Sequence, residues 1–423
     1  MPLPAARAPI PRRAVVAATL GNALEFYDFI TFAFFAIQIG QTFFPSKDPF
    51  VSLMASLATF GAGFASRPFG ALVLGTYADR RGRKPAMLLS MLLMGIGIAI
   101  LVFTPGYAAI GVAAPVLAVV ARLIQGFALG GEVGSATVYL MEAAAGPRRA
   151  YVMSWQSASQ SIAATVGALV GLMLSLKLSD AQLATIGWRI ALAGGLLIVP
   201  LALVVRSGLP ETIDQPENAD EAFSRSGKHW RVMVLGFVII GTGTIANYIF
   251  QYMATFGQNT LHVSAATSMA GEFAGNGIAV VFALWGGALA DRHGRRPLMI
   301  WPQLAFTVAI VPIFWWLIAE RTIVAFVGAN LLLQMLIGFQ YSAVYAAIGE
   351  ALPREIRSRA FALVYALPVA LLGGTTQLVV TWLLKVTGEP MTIAWYLTGV
   401  AGVGLIAMAK MPESAPDRAK QVQ

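Results

Sequence analysis

Long apolar segments separated by short polar ones fill almost the whole chain. Each segment is long enough to cross a bilayer, which takes about 20 residues of helix, and none shows the alternation of a barrel strand. Twelve such segments lie at residues 14–41, 50–77, 85–104, 112–141, 150–176, 188–207, 231–256, 264–290, 297–318, 321–349, 358–385 and 391–411. The pattern therefore predicts an all-α membrane protein with twelve transmembrane helices.

Composition strengthens this prediction and excludes several classes of function. Only 12% of the 423 residues are charged, against about 25% in soluble domains, and the mean hydropathy is +0.72. The absence of cysteine excludes disulfides, thiolate metal sites and cysteine nucleophiles. The three histidines, His229, His262 and His293, lie outside the centres of the apolar segments. We therefore expect no metal, no cofactor and no enzymatic centre, and no nucleic-acid partner because no basic soluble face exists.

Basic residues are distributed unevenly between the loops. Of the 29 lysines and arginines, the odd-numbered loops contain only Lys47, Lys177, Arg189, Arg321 and Lys385, and the termini and even-numbered loops hold most of the others. Loops rich in lysine and arginine stay on the cytoplasmic side of a membrane. The distribution predicts a multi-pass protein of the inner, cytoplasmic membrane, with both termini in the cytoplasm.

One motif occurs twice, once in each half of the chain. The pattern Gly-x-x-x-Asp-Arg-x-Gly-Arg lies at residues 75–83 and returns at residues 287–295, and a weaker echo pairs Glu142 with Glu350. The longest polar stretch falls between the copies. Parallel repeats of this kind are typical of transporters with a binding site at the interface of the repeats. The predicted domains are an N-terminal six-helix bundle over 1–207, a cytoplasmic linker over 208–229 and a C-terminal six-helix bundle over 230–423.

These motifs resemble the signatures of the major facilitator superfamily. The signature that follows its second helix is matched at Gly75–Lys84 and again at Gly287–Arg296, and its fourth-helix signature is matched by Arg122, Gln125 and Gly126. The resemblance covers the whole chain. It implies two pseudo-symmetric helical bundles, alternating access to a central site, and a transporter that works as a monomer.

Narrower motifs resemble the metabolite:proton symporters of that superfamily. The fifth-helix segment 154–160, Ser-Trp-Gln-Ser-Ala-Ser-Gln, is similar to that of proton-coupled citrate and tricarballylate transporters. The resemblance implies proton-coupled import of a di- or tricarboxylate such as citrate or tricarballylate. Symport of another organic acid or of a zwitterionic osmolyte is the alternative within the family, and a transport-inactive nutrient sensor is an alternative from another class.

A carboxylate substrate needs cationic and hydrogen-bonding donors, and a guanidinium matches a carboxylate with two parallel hydrogen bonds. Helical spacing places Arg122 and Gln125 on one face, so Arg122 is the predicted anchor. The predicted substrate-binding residues are Arg122, Gln125, Gln156, Ser159, Gln160, Asn22, Arg67, Tyr252, Asn276 and Tyr341. We expect them to face a water-filled central cavity, because lipid leaves polar groups without hydrogen bonds. The alternative for each arginine is an ion pair that only holds the first half together.

Proton coupling requires a group that changes its protonation as the cavity opens and closes. A carboxyl group beside an arginine can do this. We predict that Asp28, Glu132 and Glu25 carry the proton, with a permanently ionised ion pair as the alternative. Glu272 is a further acid within the eighth segment, for which the sequence indicates no partner.

The two repeated loops have a different predicted role. Asp79 and Asp291 can each accept hydrogen bonds from an arginine of the same loop and from a neighbouring helix N-terminus, which favours an anion. The family resemblance implies that this network locks the cytoplasmic gate. The predicted gating residues are Asp79, Arg80, Arg83, Asp291, Arg292 and Arg295.

Overall fold

The structure, a computed structural model, describes residues 12–81, 83–130, 148–196, 200, 229–353 and 357–415, and all regular secondary structure in them is helical. The first half of the chain contains α1 (Arg12–Phe34), α2 (Ala36–Phe43), α3 (Pro49–Ala65), α4 (Arg67–Arg81), α5 (Arg83–Phe103), α6 (Tyr107–Ile110), α7 (Ala113–Gly130), α8 (Arg149–Lys177), α9 (Asp180–Gln182) and α10 (Trp188–Leu196). The second half contains α11 (Trp230–Asn259), α12 (Ala265–His293), α13 (Arg295–Glu320), α14 (Ile323–Ala351), α15 (Arg357–Pro368), α16 (Gly374–Thr387) and α17 (Thr392–Lys410). Short π-helical turns, Leu183–Gly187 and Val369–Gly373, precede α10 and α16.

Within the described ranges, nine helical segments are long and apolar enough to cross a membrane. They are Pro49–Tyr77, Ala113–Gly130, Arg149–Lys177, Trp230–Asn259, Ala265–His293, Arg295–Glu320, Ile323–Ala351, Ala360–Thr387 and Thr392–Lys410. Three predicted segments are not among them. Segment 14–41 is divided at Phe35 between α1 and α2, segment 85–104 has a shorter apolar part at Leu88–Phe103, and segment 188–207 runs beyond the described residues. The count of twelve spans therefore stays a prediction.

A break between α3 and α4 fixes the position of Arg67. Helix α3 ends at Ala65 and α4 begins at Arg67, followed by Pro68, which has no backbone N–H to donate. The hydroxyl of Ser66 donates to the carbonyl of Gly63 (3.1 Å) and to that of Leu123 in α7 (2.8 Å). Local side-chain bonds of this kind satisfy carbonyls at a helix break inside a membrane. They also hold the start of α4 against α7.

Glycines allow α3 to approach α7 closely. A Cβ on Gly126 would collide with the carbonyl oxygen of Gly63, and a Cβ on Gly63 would lie 3.1 Å from the carbonyl oxygen of Arg122. Small residues at such crossings bring helix backbones together in membranes, where packing replaces the hydrophobic effect as the driving force. The crossing places Arg122 directly beside the aromatic side chains of α3.

The two halves of the chain meet along several helix pairs. Helix α8 packs along α12 and also contacts α14, α3 packs on α16, and α1 packs on α11. At one end of the interface Gln38 Nε2 donates to Gln258 Oε1 (3.2 Å), and Gly171 lies against Met269. At the opposite end Asp291 accepts hydrogen bonds from the first turn of α8. A central cavity lies between these two sets of contacts.

Candidate functional site

The cavity is bounded by α1 and α8 from the first half and by helices of the second half. Its volume is about 90 Å³, which is room for several water molecules because one water needs about 10–15 Å³ by this measure. Its polar lining residues are Ser157, Gln160, Ser161, Thr244, Asn247, Tyr248, Gln251, Asn276, Gln334, Tyr341, Tyr345 and Tyr365. All of these are uncharged, so the wall offers hydroxyl and amide groups to a ligand.

Next to this wall lies a group of charged and aromatic side chains that we call the guanidinium cluster. It consists of Asp28, Phe29, Phe32, Phe60, Phe64, Arg67 and Arg122. Asp28 and Arg122 are each 0% exposed. Arg122 Nη1 donates to Asp28 Oδ2 (3.3 Å) and to Gln125 Oε1 (2.7 Å).

Aromatic rings complete the surroundings of Arg122. Its Cζ atom lies 3.9 Å from the centre of the Phe29 ring and 4.5 Å from that of Phe32. A cation over an aromatic face is attracted by the ring quadrupole, most strongly where water is excluded. The carboxylate of Asp28 and the two rings together stabilise a charge that would otherwise be costly to bury.

Arg67 is the second buried guanidinium of the cluster, and no described carboxylate lies within ion-pair distance of it. Its Cζ atom lies 3.9 Å from the centre of the Phe64 ring and 4.6 Å from that of Phe29. Its Nε and Nη2 atoms have no hydrogen-bond partner among the described residues. The two guanidinium groups therefore lie beside one described carboxylate, that of Asp28, which pairs with Arg122, and the described part of the cluster has an excess of positive charge.

Tyr248 of α11 separates this charge from the cavity. Its ring packs edge-on against Phe64 and Phe60, with centroid distances of 5.3 and 6.0 Å, and its hydroxyl is a neighbour of Arg67. Gly373, in the π-helical turn before α16, leaves room for both rings, since a Cβ there would lie 2.9 Å from Tyr248 and 2.6 Å from Phe64. A ligand in the cavity therefore meets the tyrosine first and the guanidinium behind it.

A network of amides and hydroxyls connects α1 with α8. Asn22 Nδ2 donates to Ser159 Oγ (2.7 Å), and Gln156 Nε2 donates to Asn22 Oδ1 (3.2 Å). All three side chains are fully buried. One turn further along α8, Gln160 Nε2 donates across the cavity to the hydroxyl of Tyr365 (3.4 Å).

At one end of the halves' interface lies a second group of charges, which we call the latch: Asp291, Arg295, Glu350 and Glu413. Asp291 accepts from the backbone N–H groups of Ala150 and Tyr151, at 2.9 Å each, where the dipole of α8 favours an anion. Arg295 Nη1 donates to Asp291 Oδ1 (2.8 Å). Arg295 also forms a two-pronged pair with Glu350, at 3.1 and 2.9 Å. The latch thus ties α12 of the second half to α8 of the first.

Glu413, just after α17, completes the latch. Its carboxylate accepts from the backbone N–H groups of Arg295 (2.9 Å) and Arg296 (3.0 Å) at the start of α13. Partial burial acts to raise the pKa of Glu413, but four backbone N–H donors, from Ala415, Arg295, Arg296 and Ser414, lower it by more. The net result is a pKa below the usual range, so Glu413 is ionised at neutral pH.

The family of this protein follows from its sequence as well as from this architecture. The profile of the Major Facilitator Superfamily matches residues 18–367 and 273–423. The chain belongs to the major facilitator superfamily.

Similar proteins include transporters of different solutes. The chain is 36% identical over 407 residues to a citrate-proton symporter of Salmonella typhi, which covers 94% of this chain and 93% of the relative. It is 30% identical to a proline/betaine transporter of Salmonella typhimurium, over 96% of this chain and 84% of the relative. A crystal structure of a D-xylose-proton symporter matches with a TM-score of 0.76 at 18% identity, over 96% of this chain and 98% of the other. The predicted family and its citrate-symporter branch are confirmed, and these relatives are transporters rather than enzymes.

The predicted substrate-binding residues occupy three places in this superfamily member. Gln160, Asn276 and Tyr341 line the cavity. Six others are buried and lie outside the lining of the cavity: Asn22, Arg67, Arg122, Gln125, Gln156 and Ser159. Tyr252 also lies outside the lining, and its hydroxyl accepts from Thr381 Oγ1 (3.0 Å). The structure therefore differs from the expectation that all of them face the cavity. Helical spacing predicts which residues share one face of a helix, but it does not predict which aromatic rings of other helices cover that face.

The predicted proton-coupling and gating residues are described only in part. Asp28 pairs with Arg122, and Asp291 and Arg295 form the latch. Arg80 and Arg292 are exposed and have no ion pair among the described residues. Glu132 lies outside the described residues, as do the side chains of Glu25, Asp79 and Arg83. Among the described residues, no group of three or more His, Cys, Asp or Glu side chains is placed to hold a metal ion.

Two members of the latch, Glu350 and Glu413, lie outside the repeated loop motif. Glu350 appeared only as the echo of Glu142. Glu413 follows Pro412, and the same Pro-Glu pair occurs at Pro210 in the first half. This second repeat is the signal that could have pointed to Glu413.

Proposed function

We propose that the protein is a proton-coupled symporter that imports a di- or tricarboxylate, such as citrate or tricarballylate, by alternating access. The single observation that carries the proposal is the surplus of positive charge among the described buried residues beside a neutral cavity. Of the two guanidinium groups, only that of Arg122 pairs with a described carboxylate, that of Asp28, and four guanidinium nitrogens lack the partners that buried donors require: Nε and Nη2 of Arg67 and of Arg122. A polyanion supplies both the missing charge and the missing acceptors.

The proposed binding mode assigns separate tasks to the two halves of the chain. Arg67, with Arg122 behind it, supplies attraction for carboxylates, because charge-assisted bonds are roughly twice as strong as neutral ones. Gln160, Asn276 and Tyr341 on the cavity wall supply hydrogen bonds that orient the bound anion. Four buried amides and hydroxyls hold together the helices that carry the arginines and the cavity-wall residues: Asn22, Gln125, Gln156 and Ser159. Tyr248 must move for the anion to reach Arg67 directly.

The Asp28–Arg122 pair is the proposed centre of proton coupling. When Arg122 turns part of its donor capacity to a bound carboxylate, Asp28 loses some of the stabilisation of its charged form and takes up a proton. Release of the anion restores the ion pair and expels the proton. Glu132 and Glu25 are proposed to assist from the same half of the chain.

The proposed topology follows the repeated motif and the loop charges. It has twelve spans in two six-helix bundles, 1–207 and 230–423, which a linker over 208–229 joins. Both termini lie in the cytoplasm of a bacterial cell. The protein lies in the inner membrane as a monomer. The latch then lies on the cytoplasmic side. Asp291 and Arg295 close that side when the cavity opens outward, and Asp79, Arg80, Arg83 and Arg292 belong to the same two gating loops.

The proposal is tested with purified protein in liposomes. An acid-outside pH gradient should drive accumulation of labelled citrate, and dissipating the gradient with a protonophore should abolish accumulation. Uptake that ignores the gradient would refute the coupling, and absence of citrate uptake under every gradient would refute the substrate.

A second candidate function is symport of a zwitterionic osmolyte. It is favoured by the four tyrosines of the cavity wall, since aromatic faces bind quaternary ammonium groups, and by the proline/betaine transporter among the similar proteins. The unpaired charge of Arg67 disfavours it. Competition for labelled citrate decides between them: tricarballylate should compete and betaine should not.

A further inference from the structure

Glu272 is a buried acid that lies in the second half of the chain, away from the guanidinium cluster. It lies in the first third of α12 and is 0% exposed. Its Oε2 atom accepts from Asn276 Nδ2 (3.1 Å), one helical turn further on. Its Oε1 atom has no hydrogen-bond partner among the described residues.

No described cation compensates Glu272, in contrast to Asp28. Four helices pack against α12, and their titratable and charged groups are Arg149, Tyr151 and Lys177 of α8, Arg231, Tyr248 and Tyr252 of α11, Arg295, Arg296 and Glu320 of α13, and Tyr341, Tyr345 and Glu350 of α14. Helix α12 itself also carries Asp291, Arg292 and His293. None of these forms an ion pair with Glu272 in the described structure. An ionised carboxylate is far more costly to bury without a cation than the neutral acid is. Geometry alone therefore favours a carboxyl group that holds a proton.

A short polar path connects this carboxyl group with the cavity. Asn276, which bonds to Glu272, lines the cavity, and so does Gln334 of α14. Gly275 lies against Gln334, which continues to Asn330 (3.5 Å). Asn276 therefore connects the carboxyl group of Glu272 with the cavity through a single hydrogen bond.

We propose that Glu272 is a second proton-carrying group, held as a neutral carboxylic acid when the two halves are closed and exchanging its proton with the cavity past Asn276. The proposal rests on the proposed proton symport and deepens it. When the cavity faces the acidic compartment, hydronium gives a proton to the carboxylate and an O–H bond forms. When the cavity faces the other compartment, that bond breaks and water takes the proton, so no further reactant is needed.

The first test concerns the proton alone and uses no substrate. Infrared spectra of the purified wild-type protein at neutral pH should contain a carboxylic-acid C=O band that shifts in heavy water. The variant Glu272→Gln should lose intensity in this band. The matched control Glu320→Gln, at an exposed helix end, should keep it. Loss of carboxylate intensity in place of acid intensity in Glu272→Gln would overturn the proposal.

The second test separates coupling from transport in liposomes. Accumulation of labelled citrate under an acid-outside gradient should fall about tenfold in Glu272→Gln, a typical size for coupling between two ligands. Counterflow of citrate without a gradient should continue at the wild-type rate, and Glu272→Asp should recover gradient-driven accumulation. Wild-type accumulation in Glu272→Gln, or parallel loss of accumulation and counterflow in both variants, would show that Glu272 is only a structural hydrogen-bonding group.

The two tests keep this inference distinct from the proposed function. If the wild-type protein fails to transport citrate, the proposed substrate is wrong, and the infrared comparison still decides whether Glu272 holds a proton. If the wild type accumulates citrate with protons and Glu272→Gln does so equally well, only the role of Glu272 is wrong.

Discussion

The two halves of the chain place their buried charges at different depths. In the first half Asp28 and Arg122 lie well inside α1 and α7, surrounded by phenylalanine rings. In the second half Asp291 and Arg295 lie at the junction of α12 and α13, where backbone N–H groups and Glu350 surround them. The same pairing of aspartate and arginine thus occurs once in an apolar interior and once at a helix end.

The difference in surroundings implies a difference in task. The ion pair in the interior has few other polar partners, so any ligand that competes for its arginine changes the balance of charge. The pair at the helix end is supported by many backbone donors and connects elements from both halves. We therefore expect changes in the interior pair to affect stability and coupling, and changes in the latch to affect how often the halves separate.

Removing the arginine of the interior pair should have the largest effect. Arg122→Gln leaves the carboxylate of Asp28 buried without a cation, which should destabilise the protein by about 3–5 kcal/mol. Thermal unfolding followed by tryptophan fluorescence measures the change. The double variant Asp28→Asn with Arg122→Gln should recover most of the stability, because neither member of the pair then leaves a buried charge without its partner. A double variant as unstable as the single one would contradict the role given to the pair.

Removal of Arg67, which has no ion-pair partner among the described residues, should have the second-largest effect, a loss of citrate affinity. Arg67→Gln removes charge-assisted hydrogen bonds worth about 1.5–3 kcal/mol, so citrate affinity should fall about 10–100-fold. Arg67→Lys should retain part of the affinity, since lysine keeps the charge but not the planar fork. The control Arg231→Gln, at an exposed helix start, should bind citrate normally. Equal affinity in Arg67→Gln and the wild type, measured by calorimetry, would remove Arg67 from the site.

A change in the latch should alter how readily a reagent reaches the interface between the two halves of the chain, and it should leave citrate binding unchanged. Asp291→Asn weakens the bonds to the first turn of α8, and the separated state should become about tenfold more populated. The chain has no cysteine, so Ser154→Cys provides a single reporter at a fully buried position of α8 beside Gly287. Its labelling by a thiol reagent should accelerate by that factor. Asp180→Asn, at the exposed start of α9, is the matched control, and equal labelling rates in both variants would argue against the latch.

The smallest expected effect concerns Glu413 and depends on pH. Because the pKa of Glu413 lies below its usual range in the folded protein, its contribution to stability is present at neutral pH and is lost as the pH falls through that lowered value. Glu413→Gln should therefore be less stable than the wild type by about 1 kcal/mol at neutral pH. The difference should shrink as the pH falls below the ordinary pKa of a glutamate, about 4.3, and vanish once the pH is below the lowered pKa of the folded protein. Glu389→Gln, at an exposed position, is the matched control, and a Glu413 effect that grows in acid would contradict the assignment.

The sequence alone predicts much of this arrangement, because it depends on periodicity and repetition. Helical spacing places Arg122 beside Gln125, and the two are hydrogen-bonded in the structure. The repeated motif predicts the partnership of Asp291 with Arg295. Three of the predicted substrate-binding residues, Asn22, Gln156 and Ser159, are hydrogen-bonded to one another in the structure.

Other features depend on which helices pack together, which periodicity does not specify. Phe29, Phe60 and Phe64 cover the guanidinium groups because glycines let α3 approach α7, and an aromatic residue on an apolar helix carries no sign of that position. Tyr248 and Tyr252 share a helical face, yet only Tyr248 lines the cavity, because Tyr252 meets Thr381 of α16. The isolation of Glu272 is equally a property of its neighbours.

Substrate-driven proton entry tests the central claim most directly. Liposomes containing the purified protein and a trapped pH-sensitive dye are diluted into citrate without any imposed pH gradient. Symport predicts that the lumen acidifies as labelled citrate enters, and that betaine produces no such change. Entry of labelled citrate with a constant internal pH would contradict proton coupling, and acidification with betaine but not with citrate would contradict the proposed substrate.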